Sequence, residues 1–231
     1  MRMFVMVALA VAVCACGQQA PGKLTATPAA VPLPAVQSAP PPPPKIIKKY
    51  EGPFGLAMGI SAASLLEDFG FILASESSTD YYVGTPPRPV AGLVDYFAIA
   101  TAGHGICRVG ASEDVGVVNG SGDQLKAAVD KLAAALEVKY GKETKKYDFA
   151  KEDVYTRNPQ YWMLGLKEKS VFYAYVWGGT KGGAGLPYDL ESIEVAPTAT
   201  SLSSGYVSVR YTFSNFKECG KDMQKAKASN L

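Results

Sequence analysis

The chain has 231 residues, four cysteines, one histidine and a formal net charge of +2. The positive excess sits at the front: residues 1–49 hold five Lys and Arg and no acid, leaving 18 Lys and Arg against 21 Asp and Glu from Tyr50 onward. A slightly acidic domain lacks the concentrated positive charge of a nucleic-acid binder, so nucleic acid is excluded as an expected partner.

Arg2 gives a positive start, and Met3 to Ala15 is an apolar run of thirteen residues. A membrane-spanning helix needs roughly 18–20 residues, whereas a run this short suits the core of a signal peptide. Val13-Cys14-Ala15 then places small residues ahead of Cys16. This stretch resembles the lipobox signal of bacterial lipoproteins. The resemblance implies that residues 1–15 are removed, and that Cys16 is acylated, palmitate being one of its chains, and anchors the protein to the lipid bilayer. Gly17, where an Asp would favour the inner membrane, implies the outer membrane with the domain facing the periplasm. An ordinary signal peptide cut nearby is the other reading of the same residues.

Residues 16–49 form a linker from the anchor cysteine onward, with nine prolines including the run Pro40 to Pro44. Proline fixes φ and removes a donor, so the tract favours an extended polyproline II spacer, reaching about 100 Å at ~3.1 Å per residue. Residues 50–231 remain as a single domain, long enough to bury a sizeable core.

Within that domain, Ser61 is a helix N-cap, and Ala62 to Phe69 reads as a short helix ended by Gly70. Strands are expected at Tyr81–Gly84, Leu93–Ala100 and Gly105–Ala111. In the last, Cys107 and Val109 share one face and Arg108 takes the other. The clearest element is a helix over Gly122 to Tyr140. Ser121 is its cap, Gln124 its capping-box partner, and Leu125, Val129, Leu132, Leu136 and Tyr140 recur at helical spacing. A short helix starts at Asn158-Pro159. Further strands follow at Val171–Trp177, Leu190–Val195 and Tyr206–Phe213, the last alternating cleanly. Asn215 and Glu218 open a final helix whose inner face holds Phe216, Cys219, Met223 and Ala226. The expected fold is α+β: an antiparallel sheet of about six strands with helices on one face, arranged as two similar halves of a helix and three strands.

The exported compartment governs the cysteines. With Cys14 in the signal and Cys16 lipidated, Cys107 and Cys219 remain in an oxidising space where disulfides persist. Both point to the core by local period, so a bridge is expected; two buried free thiols are the alternative.

Catalytic signatures are sparse. One histidine, His104, cannot build a His-based metal cluster, so neither metal nor cofactor is expected. No Gly-x-Ser-x-Gly elbow accompanies it. The glycine-rich run Gly178 to Gly185 has the wrong spacing for a phosphate loop and reads as a hairpin loop. Of the thirteen tyrosines, Tyr173 and Tyr175 stand with Trp177 in one strand, where an uncovered sheet face would make them a partner surface. The opening Phe54-Gly55-Leu56-Ala57-Met58-Gly59-Ile60-Ser61 resembles uncharacterised bacterial envelope lipoproteins and, more faintly, the small β-barrel-assembly lipoproteins. That resemblance implies an envelope compartment and an α+β fold, and no site residues.

These readings converge on a lipid-anchored envelope protein. The expected role is a non-enzymatic module that binds an envelope-protein or cell-wall partner. The alternatives are a periplasmic enzyme using His104 with a carboxylate, and an aromatic-surface ligand binder.

Overall fold

The computed structural model describes residues 52–75, 80–178 and 186–229. The signal segment, Cys16 and the proline linker lie outside them. The domain is α+β, with one antiparallel sheet of eight strands: β1 (Ile72–Leu73), β2 (Tyr81–Val83), β3 (Val94–Thr101), β4 (Gly105–Val117), β5 (Lys145–Ala150), β6 (Val171–Gly178), β7 (Leu190–Ala199) and β8 (Ser204–Phe213). The five α-helices are α1 (Ala62–Glu67), α2 (Asp123–Tyr140), α3 (Asp153–Arg157), α4 (Trp162–Lys167) and α5 (Phe216–Ser229).

The strand order is β1-β2-β3-β4-β8-β7-β6-β5. Two antiparallel runs of four strands therefore meet at the long β4–β8 seam, where Val109 pairs with Tyr211 and Ala111 with Val209. Eight strands replace the expected six because β1 is only two residues long and β5 carries an edge pattern. In β5, Lys145, Lys146 and Asp148 are exposed. Charge on an edge strand blocks unwanted pairing and hides the apolar period from view.

One face of the sheet is covered. Val207, Val209, Tyr211 and Phe213 of β8 alternate with less buried residues and enter a core with Ile193 and Val195 of β7. Onto them α2 lays Leu125, Val129, Ala133 and Leu136, all buried. The start of α2 differs from expectation. Gly122 is the N-cap, at φ 69°, and makes no side-chain cap bond. Instead the Asn119 side chain accepts from the Asp123 N–H at 3.0 Å, and the Asn119 N–H donates to Gln124 Oε1 at 3.0 Å. The glycine is needed because the Trp162 ring of α4 lies where a Cβ would come, 2.0 Å away.

The helices do not share one face. A register shift between Ile99 and Ala100 leaves Cys107 as the extra residue on β4. Such a bulge re-aims side chains: Ile106 stays with the main core beside Ala100, while Cys107 turns with Arg108 to the opposite side. There α5 packs on β3 and β4. Arg108 stacks its guanidinium 3.9 Å from the Phe216 ring centroid, and the Thr101 hydroxyl donates to Asp222 at 2.9 Å. Cys107 and Cys219 lie at disulfide-bonding distance with Cα atoms 6.5 Å apart, and both are fully buried. The pairing matches expectation, but it forms in a satellite cluster under α5 rather than in the main core, because simple alternation does not foresee the bulge.

Candidate functional site

Among the described residues, the face away from α2 is covered by α5 only at the β3–β4 hairpin end. Its residues follow from strand parity. Tyr81 of β2, Phe97 of β3, and Arg108, Ser112 and Asp114 of β4 are joined across the seam by Tyr206, Ser208 and Arg210 of β8. Beyond them come Glu194, Ala196 and Thr198 of β7, then Phe172, Ala174 and Val176 of β6 with Tyr147 and Phe149 of β5.

Two depressions occupy this face. The larger, about 1010 Å³, lies over β3, β4 and β8 and mixes aromatic rings with Asp95, Asp114 and several hydroxyls. Tyr81 and Phe97 stack there at 5.3 Å and 15°. Phe97 lies over Gly110, where a Cβ would come within 2.5 Å of the ring. The second, about 790 Å³, is lined by Tyr147, Phe149, Phe172, Ala174, Val176 and Pro197 among others. Thr198 and Arg210 border both, so the two form one continuous surface. At the join Arg210 pairs with Glu194, and Arg108 Nε donates to Thr212 at 3.1 Å. Burial, and then the neighbouring Arg210 charge, lower the Arg108 pKa from the usual arginine value.

The aromatic surface expected at Tyr173, Tyr175 and Trp177 is corrected by the same parity. Tyr175 pairs with Val195 and Trp177 with Ile193, so all three point toward α2. Tyr173 is 7% exposed and Trp177 1%. The Tyr173 and Tyr175 hydroxyls both donate to Asp130 of α2, at 2.7 and 2.8 Å, and Trp177 Nε1 donates to the Gly141 carbonyl at 2.7 Å. Burial and the Asp130 carboxylate together push the Tyr173 pKa far above the tyrosine range. The residues of β6 on the open face are Phe172, Ala174 and Val176, one position out of phase with those expected. No local signal separates the two sets: Asp130, which accepts from Tyr173 and Tyr175, is an exposed residue at the polar edge of α2 and looks like any solvated carboxylate in the sequence.

His104 sits in the β3–β4 turn, with Nδ1 2.7 Å from Asp222 Oδ2. Asp222 also accepts from Thr101, and hydrogen bonding from His104 first and Thr101 second holds its carboxyl below the usual carboxylate value. Asn215 Nδ2 donates to the carbonyls of His104 and Ile106 at 3.1 and 3.0 Å. These contacts tie the turn to α5 beside the Cys107–Cys219 pair. The only histidine of the chain is thus engaged with a carboxylate and, through Asp222, with a hydroxyl. Comparison with known proteins returns no match. Neither a family model, nor a curated protein, nor a solved structure resembles the chain closely enough to lend it a role. Function therefore rests on the geometry of the chain itself. Among the described residues no group of three or more His, Cys, Asp or Glu is gathered to hold a metal ion.

Proposed function

We propose that this is a lipid-anchored envelope protein whose domain binds a partner on the open face of its sheet, without catalysing a reaction. The observation that carries the reading is the continuous concave surface spanning both halves of the sheet, aromatic in its floor and bordered by Arg210 and Thr198. Aromatic and arginine side chains are favoured where binding energy concentrates. The mirrored strand order supports two related halves, with the first depression lying across their seam and the second within the β8-β7-β6-β5 half. The lipobox-like Val13 to Cys16, followed by a proline spacer, supports attachment to the outer membrane through acylated Cys16 with the domain held off the bilayer.

Two measurements test this reading. Cys16→Ala is expected to shift the protein out of the membrane fraction or stall its processing; unchanged membrane association and mobility defeat the anchor. For the open face, photocrosslinking residues at Tyr206 and Phe172 are expected to yield a defined adduct in intact envelopes, and one at the exposed Val138 of α2 is not. Equal labelling from Val138, or none from either face position, would overturn the binding reading.

A second reading is favoured by one observation, the 2.7 Å contact of His104 with Asp222. A carboxylate that orients an imidazole is the arrangement by which a general base is prepared. On this reading the protein is a periplasmic hydrolase of cell-wall or small substrates. His104→Ala would then abolish turnover while the circular dichroism and melting temperature stayed unchanged. A loss of stability alone identifies the pair as the latch of α5.

A further inference from the structure

The second depression has a structural origin that the first lacks. Strands β6 and β7 pair only from Tyr175↔Val195 to Gly178↔Ser192. Two residues past Val195 stands Pro197, which has no N–H to give to a ladder. It pairs with Val207 of β8 on its other side. The β6–β7 pairing stops there, and the sheet opens into a cleft between Phe172 and Ala174 on one side and Ala196 and Pro197 on the other. On the covered side α4 packs against both strands behind the gap, and Leu166 of α4 reaches its lining.

The cleft is mostly apolar, and its volume of about 790 Å³ falls within the roughly 300–1,000 Å³ of small-molecule sites. Phe149 and Phe172 stack along one wall at 4.9 Å, yet Phe149 remains 48% exposed. Lysines outnumber carboxylates at the α4–β6 end. Lys167 and Lys169 line the cleft there. Lys151 lies 4.8 Å from the Phe172 ring centroid and donates to the Lys169 carbonyl at 3.1 Å. Two carboxylates stand nearby, Glu168 accepting from Tyr155 and Glu152 from Ser170, so three lysines stand against two acids. Among the described residues none of these three lysines forms an ion pair.

We infer that the β6–β7 cleft binds a single long-chain amphiphile with an anionic head, its acyl chain along Phe172, Ala174 and Pro197 and its carboxylate at Lys167 and Lys169. This deepens the reading of the open face as a binding surface, on which it rests. The apolar walls match the chain, and the lysine rim matches the head by charge.

The test uses the purified full chain carrying Cys16→Ala, so that no acyl group of its own competes, and titrates it with the fluorescent fatty acid cis-parinaric acid. Saturable one-to-one binding is expected, displaced by dodecanoate about tenfold more strongly than by dodecanol, with that preference lost in Lys167→Glu/Lys169→Glu. Ala174→Glu, which puts a carboxylate in the cleft floor, is expected to abolish binding. The surface lysine variant keeps the test decisive should Ala174→Glu fail to fold. Absence of saturable binding, equal displacement by acid and alcohol, or adsorption to anionic vesicles without binding of the monomeric acid would each overturn the inference. If the acid fails to bind while crosslinking from Tyr206 and Phe172 still captures a protein, the open face stands and only this ligand class falls.

Discussion

Cys107 and Cys219 close a loop of sequence separation 112. In the chain-entropy description, bridging so long a loop restricts the unfolded chain by an amount worth about 4–5 kcal/mol. Cys107→Ser is therefore expected to lower the unfolding free energy obtained from urea denaturation by most of that amount, and thiol labelling of the denatured, unreduced wild-type protein should find neither cysteine free. Asp222, two contacts away, adds a pH dependence. Its folded pKa lies below its unfolded value, held there by His104 and Thr101. Its contribution is thus present above the unfolded carboxylate pKa, roughly 3.9, and is lost as pH falls through the folded value. Asp222→Asn should flatten the acid limb of the melting-temperature profile; an unchanged acid limb would mean that the His104 contact does not act in solution.

The helix α2 is bound to the sheet by more than its apolar stripe. Asp130 gathers two tyrosine hydroxyls from β6, and the Tyr173 side chain is buried. Removing the acceptor by Asp130→Ala takes this partner from the part-buried Tyr173 hydroxyl, a loss of about 0.5–1.5 kcal/mol. Equilibrium denaturation reads that cost directly, and Asp130→Asn, which keeps an acceptor oxygen, should recover part of it. The close approach of Trp162 to Gly122 joins the same helix to α4. Both ends of α2 are thereby fixed: Trp162 at its start, and at its finish Trp177 donating to the Gly141 carbonyl.

Across the domain, division of labour follows from which sheet face is covered. The main core lies between the sheet and α1, α2 and α4, while α5 folds onto the other face and, among the described residues, leaves most of that face open. Exposed aromatic rings on such a face, Phe149 and Tyr81 among them, mark it as a surface for interaction. Photocrosslinking from Tyr206 and Phe172 reports on this surface directly, since substitutions there leave the core untouched. Membrane release of Cys16→Ala reports independently on how the domain is carried.

Sequence alone suffices for the α+β class, the long helix from its 3.6-residue apolar period and the alternation of β8, while the pairing of Cys107 with Cys219 also needs the expectation that Cys14 and Cys16 are spent on export and anchoring. These are local patterns, set by periods and by the number of thiols available. It does not reveal β5, because charges on an edge strand mask its period. Nor does it tell which face of β6 is covered, because a period of two defines two faces without naming the one that meets the helix. The bulge at Cys107 and the early end of the β6–β7 pairing are likewise invisible along the chain, although Pro197 stands where the pairing stops. Only the tertiary structure decides such matters: register and side are settled between strands distant in sequence, by which packing buries the most apolar surface. That decision turned Tyr173 and Trp177 inward, put the half-buried Tyr175 on the same side, and left Phe172, Ala174 and Val176 to face outward.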